Sequence, residues 1–374
     1  MPWRESSRVS ERLEFCRLVE AGGVSVAELC RRFGISRPTG YLWLERYRVE
    51  GVAGLVDRSH RPVVSPNRVG IEVEEAVCEL RRQHPRWGGR KIGAVLSRRG
   101  MSRVPAASTI TGILRRNRLL DHRPQPRGYV SFEYEAPNQL WQMDFKGWFG
   151  LGDGNRCHTF GVLDDHSRYN LALAACSDQR TGTVQNLLRS TFRTYGLPER
   201  ILCDNGSPWG NDRHQPWTPL GVWLLDVGVG VIHSRPFHPQ TAGKEERFHL
   251  TLDWEVITTR PVWESYDQIQ TAFDRWRPIY NHERPHDSLG LKVPADRYRP
   301  STRSYPEQLP LLDYPPGYQV RKHSRDGISW QGKRIRLPKA FQGRTVGIYP
   351  TQSDGTYQIW YRNQIIRTIT LNPK

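Results

Sequence analysis

The sequence lacks the features of a secreted, membrane-spanning or zinc-stabilised protein. No stretch approaches the eighteen or more uncharged apolar residues of a membrane span, and the first residues, MPWRESSRVSERLEF, lack the apolar run of a secretory signal. Six cysteines occur in 374 residues, and none forms a CxxC pair or a Cys/His cluster at zinc spacing. These absences disfavour a disulfide scaffold and a zinc finger, and they predict a cytosolic protein.

Basic residues outnumber acidic residues at both ends of the chain. Overall, 55 Lys and Arg oppose 38 Asp and Glu, a net charge of +17. Residues 1–136 carry +10 and residues 301–374 carry +8, whereas residues 137–300 carry −1. Because Lys and Arg bind phosphates and carboxylates bind metal ions, this distribution favours a nucleic-acid-processing enzyme. A basic protein without such a partner remains the alternative.

The N-terminal segment, 1–55, is predicted to be a helix-turn-helix DNA-binding domain. Three short helical patterns end in breakers, Gly34 stands where a tight turn is needed, and Ser36 can cap the third helix. The second helix of such a motif enters the major groove of DNA. The candidate DNA-contacting residues near its start are Arg37, Thr39 and Tyr41. An ordinary three-helix bundle is the alternative.

A second helix-turn-helix unit is predicted over 69–120, after a Gly- and Pro-interrupted linker. Here Ser108 and Thr109 are expected to cap the last helix. Two such units suit a long asymmetric DNA site better than a short palindrome.

From residue 137 to about 300 the pattern predicts a catalytic α/β domain. One strand of alternating polarity, LWQMDFKGWFG, and two further strands, CHTFGVLDDHS and RYNLALAACS, are followed by alternating helices and strands. This order predicts a mixed five-stranded sheet with helices on both faces. The last segment, 316–374, has short β-rich runs and is predicted to form a small basic β-barrel that binds DNA. Its candidate contacts are Lys333, Arg334 and Arg336.

Three carboxylates in the middle of the chain are the candidate catalytic residues. Asp144 lies mid-strand in LWQMDF, where a lone buried carboxylate is costly. Asp204 ends the strand ILCD, and Glu246 lies near the start of a helix. Acids from two strands and a helix can converge on the pair of Mg²⁺ or Mn²⁺ ions that in-line phosphoryl displacement uses. Any one of them alone is better explained as a surface or capping residue.

At these residues the sequence resembles a known superfamily. The strings LWQMDF, LCDNGSPWG and RPFHPQTAGKEERFHLTL resemble the three signatures of the DDE transposases and retroviral integrases, and YNHERPHDSL resembles the segment after the core in bacterial insertion-sequence transposases. The resemblance implies an RNase H-like core in which Asp144, Asp204 and Glu246 are the three metal-binding acids. Lys244 and Arg247, which flank the third acid, are predicted to contact DNA.

The chain departs from the superfamily pattern in two respects. The second and third acids are separated by 41 residues, more than the motif usually has, and the surplus is expected in the loop WGNDRHQPWTP. The third acid is also doubled, and only one of Glu245 and Glu246 can face the metals because adjacent helical positions point about 100° apart. Glu246 is preferred because it precedes the Arg-Phe pair. Asp164 or Asp165 is a further candidate to face the site.

The resemblance implies a transposase that cuts the ends of its element and joins the freed 3′-hydroxyl to target DNA. Such a protein would act on double-stranded DNA as a homodimer or larger assembly, in the bacterial cytoplasm at the nucleoid. A catalytically silent DNA-binding regulator is the main alternative, and a nonspecific RNase H-like nuclease is a second.

Overall fold

The computed structural model of the protein describes residues 7–58, 69–120, 133–210, 217–233 and 243–371. The chain divides into two compact units, 1–68 and 69–374. Within the described ranges, no helix is both long and apolar enough to cross a membrane.

The first unit is a small helical domain. Its helices are α1 (Arg8–Glu20), α2 (Val26–Arg32) and α3 (Arg37–Glu50), followed by a 3-10 turn, Gly51–Leu55. Ser36 caps α3 as predicted, because its hydroxyl accepts a hydrogen bond from the Thr39 backbone N–H. Gly34 adopts a positive φ of 63° in the turn between α2 and α3. The predicted helix-turn-helix is therefore confirmed.

A glycine allows α2 and α3 to pack closely. A Cβ at Gly40 would lie 2.6 Å from the sulfur of Cys30, so any larger residue would push the helices apart. The buried apolar side chains of this small core are Phe15, Cys16, Leu29, Cys30, Leu44 and Leu55.

The second unit begins with another three-helix domain. Its helices are α4 (Ile71–Gln83), α5 (Gly89–Arg98) and α6 (Ala107–Arg116), which pack around a separate apolar core. The prediction that Ser108 and Thr109 cap α6 is wrong. The helix begins earlier, with Ala106 at its N-cap and no side-chain cap, which places both hydroxyl residues inside the first turn.

A mixed five-stranded sheet follows, as predicted. Its strands are β1 (Leu140–Gly150), β2 (Arg156–Asp164), β3 (Asn170–Cys176), β4 (Arg200–Cys203) and β5 (Gly230–His233). In space the order is β3-β2-β1-β4-β5. The first three strands pair antiparallel, and β4 pairs parallel with both β1 and β5.

Helices cover both faces of the sheet because both faces are apolar. They are α7 (Thr181–Tyr195), α8 (Pro219–Asp226), α9 (Gly243–Glu255) and α10 (Tyr266–Pro278). Along β2, Val162 packs with α7 and α8, whereas its neighbour Leu163 packs with α9 and α10. This alternation has the period of two that defines a strand.

The C-terminal segment forms two antiparallel sheets, and the predicted closed barrel is not confirmed. The strands β6 (Gln319–Lys322), β9 (Thr345–Pro350), β10 (Thr356–Tyr361) and β11 (Gln364–Thr370) pair in the order β11-β10-β9-β6. The other two, β7 (Gly327–Trp330) and β8 (Lys333–Arg336), form a separate hairpin. The hydrogen-bonding order thus ends at β11 and β6 within the described chain instead of closing on itself.

The C-terminal segment packs against the five-stranded sheet and shares its core. The side chain of Gln364 accepts from the Val231 N–H at 3.0 Å and donates to the Val231 carbonyl at 2.9 Å, at the β5 edge. Asp226 at the end of α8 is 1% exposed and accepts hydrogen bonds from Tyr361 at 2.6 Å and Arg362 at 3.0 Å. These contacts cover the open edge of the sheet.

Candidate active site

The strand register brings the first two predicted acids to the same level of the sheet. Gln142 on β1 is paired with Leu202 on the parallel strand β4. Asp144 and Asp204 each lie two residues beyond this pair, and residues two apart point to the same face of a strand. Neighbouring strands are about 4.8 Å apart. The topology therefore brings these two carboxylates together.

A β-bulge follows Asp144 directly. The pairing of β1 with β2 shifts register between Phe145 and Trp148, and Gly147 within this stretch has a positive φ of 101°. The Phe145 backbone N–H donates to the Asp144 carboxylate at 2.8 Å. Bulges of this kind reorient side chains and are frequent beside active sites.

The chain turns sharply after Asp204. The Gly206 N–H donates to the Asp204 carboxylate at 2.9 Å, which holds the side chain at the end of β4. A Cβ at Gly206 would lie 3.2 Å from this carboxylate, so a small residue keeps the space beside the acid open. His233, at the end of β5, contacts the Asp204 carbonyl oxygen through Nδ1 at 3.1 Å.

The three predicted acids interact electrostatically. The pKa of Asp144 is raised to about 7, first by burial and then by the negative charges of Asp204 and Glu246. Burial also raises the pKa of Asp204, although its hydrogen bond from Gly206 opposes this. The fold thus brings together carboxylates that repel one another when charged, and oxygen ligands of this kind suit a hard divalent cation.

The doubled third acid divides between buried and exposed positions. Glu246 is exposed on the first turn of α9, whereas Glu245 is 3% exposed and faces the sheet. Neither carboxylate oxygen of Glu245 has a hydrogen-bond partner within the described chain, and burial raises its pKa well above the usual value. The two neighbouring acids therefore face in different directions, as adjacent helical positions do.

A buried histidine lies between the sheet and α9. His249 Nδ1 is 4.0 Å from the Asp144 carboxylate, and its Nε2 is 3.7 Å from the Glu245 carboxyl. Burial lowers the pKa of His249 to about 4, so the ring is neutral at physiological pH. The acids therefore have a polar neighbour that adds no positive charge.

Neither member of the Asp164 and Asp165 pair is free to serve as an additional ligand, because both are buried in structural hydrogen bonds. Asp164 accepts from the Ser167 hydroxyl at 2.5 Å and the Asn138 N–H at 2.7 Å. Asp165 accepts from the Gln142 amide at 2.6 Å and forms an ion pair with Lys244. Both acids anchor the end of β2.

Lys244, which is predicted to contact DNA, is already engaged in this ion pair with Asp165. Its side chain is 7% exposed, and its ammonium contacts the Asp165 carboxylate. Burial lowers the pKa of Lys244 to about 8. The pair joins the first turn of α9 to the end of β2, so Lys244 also holds the helix that carries Glu246. Arg247, three residues further on, is exposed.

The other predicted DNA-contacting residues lie on two surfaces. On α3, Arg37 and Tyr41 are exposed, and Thr39 is half-buried with its hydroxyl 2.8 Å from that of Ser36. On β8, the three predicted side chains are exposed while Ile335 between them is buried. These are Lys333, Arg334 and Arg336. Their contacts with DNA stay predictions.

No preformed metal site is recognisable among Asp, Glu, His and Cys side chains in the described part of the chain. Residues 211–216 and 234–242, which hold the expected surplus loop and the segment before α9, lie outside it. The three acids fit Mg²⁺ or Mn²⁺ by their chemistry, because all are oxygen donors and their mutual repulsion is relieved by a divalent cation.

Comparisons with known families match most of the chain. Integrase core domain families match residues 134–239 and 227–294. A homeodomain-like domain matches 39–114, and a helix-turn-helix domain matches 11–62. The C-terminal domain of IS481 family transposases matches 318–374.

Individual proteins with similar sequences come from mobile elements. The transposase for transposon Tn552 of Staphylococcus aureus is 22% identical over 395 residues, covering 93% of this chain and 80% of the relative. An uncharacterized 39.2 kDa protein of insertion element IS476 from Xanthomonas euvesicatoria is 24% identical over 278 residues, covering 73% of this chain and 78% of the relative.

Solved structures that align with parts of this chain include a viral intasome and an integrase core domain. A chain of the simian T-cell lymphotropic virus intasome covers 80% of this chain and 100% of its own length, with 17% identity and a TM-score of 0.37. The HTLV-2 integrase catalytic core in complex with magnesium covers 44% of this chain and 99% of its own length, with 13% identity and a TM-score of 0.33. Similarity at these TM-scores is too low to support an argument about geometry.

Proposed function

We propose that this chain, whose domains match those of bacterial insertion-sequence DDE transposases, cuts DNA at the ends of its element and joins the freed 3′-hydroxyl to target DNA. One observation carries this proposal. Asp144 on β1 and Asp204 at the end of the adjacent parallel strand β4 lie at the same level of the sheet, and Glu246 is close enough to raise the pKa of Asp144. The integrase core matches support the reaction class.

Different residues of the chain are proposed to bind the metal ions and the DNA. Asp144, Asp204 and Glu246 are the proposed ligands of two Mg²⁺ or Mn²⁺ ions. When bound, such ions stabilise the attacking and leaving oxygens of an in-line displacement. Asp144, whose pKa is raised to about 7 without metal, would hold a divalent ion as its deprotonated carboxylate.

The DNA substrate is expected to lie across both basic ends of the chain. On α3, Arg37, Thr39 and Tyr41 are proposed to contact base edges and phosphates of the element end. Basic side chains on β8 and beside the acids are proposed to hold phosphates without sequence preference. These are Lys244, Arg247, Lys333, Arg334 and Arg336. Because both ends of the DNA element must be joined to target DNA, we expect the protein to act as a homodimer or larger assembly, at the nucleoid in the cytoplasm.

A strand-transfer assay on the flanking DNA tests this proposal. The DNA flanking the gene is first searched for imperfect inverted repeats. Duplexes that carry such repeats should be nicked and joined in Mg²⁺ or Mn²⁺, and EDTA should stop the reaction while binding persists. Asp204→Asn should be inactive and still bind, because the amide removes a metal-binding charge and leaves the helical domains intact. Activity that survives EDTA would refute metal catalysis, and binding without activity under every condition would favour the catalytically silent regulator.

A further inference from the structure

The second helical domain is docked onto the catalytic core by charged contacts. The docking interface consists of Arg90, Lys91 and Arg98 on α5 and of Asp287 and Asp296 in the turns after α10. Arg98 donates two hydrogen bonds to the Asp296 carboxylate, at 2.7 Å and 2.8 Å, in the bidentate geometry that fixes orientation best. These two residues are 198 positions apart in the chain.

A second carboxylate strengthens the docking interface. Asp287 lies 3.2 Å from the Arg90 guanidinium and 4.0 Å from the Lys91 ammonium. The Lys91 side chain is 13% exposed, and burial lowers its pKa to about 8, whereas the side chains of Arg90 and Asp287 are 64% and 50% exposed.

Apolar and aromatic contacts extend the same interface. Ile279, directly after α10, packs against the apolar core of the second helical domain. The Arg86 guanidinium lies 6.0 Å from the ring centre of Trp254 on α9. Trp254 and Glu246 are eight residues apart on α9, a distance of about 12 Å along the helix axis. The second helical domain therefore contacts the helix that carries the third acid.

The docking interface does not include α6, the last helix of this domain, so α6 can still contact DNA. The apolar residues of α6, which include Ile110 and Ile113, face the domain core, whereas Ser108, Thr109 and Arg115 are exposed. The first helical domain belongs to the other compact unit, 1–68. The two predicted DNA-reading domains thus differ, because only the second is packed in the same unit as the acids.

From these contacts we propose that the docking interface sets the register of bound DNA over the catalytic acids. Arg90 and Arg98 are positioning residues, and the second helical domain determines how many base pairs separate the bases that α6 contacts from the strand position at the acids. This inference rests on the proposed function for its reaction, but the register itself is measurable without any reaction.

The register can be mapped with a tethered radical source. All six native cysteines are buried, so a cysteine introduced at the exposed Ser207, beside Asp204, can be labelled selectively with an iron chelate. Hydroxyl radicals then cut bound DNA near the acids whether or not the enzyme is active. The probe is a flanking-repeat duplex, or a duplex selected for binding from a random library, with the full-length chain at saturation.

Charge reversal is the sharpest perturbation. In Arg90→Asp/Arg98→Asp the ion pairs of both arginines become repulsive, and we expect the radical cuts to spread or to move by at least one base pair, a step of about 3.4 Å along the duplex. Adding Asp287→Arg/Asp296→Arg restores attraction at both positions and should restore the original pattern. Lys91→Gln is present in both variants, because the Lys91 ammonium lies 4.0 Å from Asp287 and would repel the introduced arginine. The control, Arg82→Asp/Arg103→Asp, makes the same charge change at two exposed arginines of the same domain that do not belong to the docking interface, and it should leave the pattern unchanged.

The outcomes separate the two proposals. An unchanged radical pattern in Arg90→Asp/Arg98→Asp, a failure of the charge-swapped variant to restore it, or an equal change in the control each overturns the register role. Should the reversed variant unfold, Arg90→Ala/Arg98→Ala is measured in the same way. A pattern that changes and is restored, in a protein that never nicks DNA itself, supports the register role and refutes the proposed reaction.

Discussion

Replacing Asp144 with asparagine should stabilise the metal-free protein while abolishing its activity. The pKa of this carboxyl rises from 3.8 to about 7 on folding, because burial and the charges of Asp204 and Glu246 disfavour its ionised form. An ionised Asp144 therefore destabilises the fold. The penalty is absent below about pH 4, grows as the pH rises towards 7 and is complete above it. Asparagine has nearly the same shape and carries no charge at any pH.

The size of the effect follows from the shift and the exposure of the side chain. A shift of about three pKa units corresponds to about 4 kcal/mol for a fully buried group. The Asp144 side chain is 35% exposed, and solvent screening reduces this figure. We therefore expect Asp144→Asn to raise the free energy of unfolding by about 1–2 kcal/mol at pH 8, and by nearly nothing at pH 4.

Urea unfolding in EDTA, followed by tryptophan fluorescence, measures this difference. Trp141 is fully buried on β1, three residues from the mutation, and reports on the sheet directly. Adding Mg²⁺ should stabilise the wild type by mass action and leave Asp144→Asn largely unaffected. Asp165→Asn is the matched control, because it makes the same acid-to-amide change. It removes the buried ion-pair partner of Lys244 and should therefore lower the free energy of unfolding by about 3 kcal/mol. A destabilised Asp144→Asn at pH 8 would show that the acids do not repel one another as described.

Three further predictions concern function. Glu246→Gln should abolish strand transfer, and Glu245→Gln should reduce it less. If Glu245→Gln is instead the inactive variant in the transfer assay, the third acid is Glu245 and not Glu246. In gel-shift titrations of cognate and scrambled ends, Arg37→Ala or Tyr41→Ala should cost about 1–3 kcal/mol for the cognate end alone, and an equal loss on both would exclude base reading. Neutralising the three basic side chains of β8 should weaken binding to all DNA and lower the salt slope by about 0.9 for each phosphate that is no longer neutralised; an unchanged slope would place the phosphate-binding side chains elsewhere.

Local signals in the sequence predicted most of the secondary structure. Ser36 marks the start of α3 because a hydroxyl before a helical pattern satisfies a free backbone N–H. Short β-rich runs bounded by turn residues predicted the strands. Because both faces of the sheet are covered, β2 and β3 are almost entirely buried and show little alternation of polarity. The same reasoning failed at α6. Its first turn is capped by no side chain, so Ser108 and Thr109 placed the predicted N-cap two or three residues too far along the chain.

Contacts between residues that are far apart in the sequence could not be predicted from local sequence patterns. Nothing in the neighbourhood of Arg98 or Asp296 indicates that they pair across 198 positions. The C-terminal strands have the spacing of a small barrel, but their packing on α8 and β5 depends on Asp226 and Gln364, whose partners are far away in sequence. For the acids, the motif predicted the residues, and the strand register supplied the reason that Asp144 and Asp204 meet.

The basic residues at the two ends do not all serve DNA. Arg98 is paired with the core, and Arg344 and Arg362 form ion pairs with the buried Asp226. The net charge of +17 therefore overstates the charge available for phosphates. Added salt screens exposed pairs more than buried ones, so it should weaken DNA binding and the exposed Arg98 ion pair together, while the attachment of the C-terminal segment through Asp226 persists. Loss of DNA register at high salt is thus expected before loss of the fold.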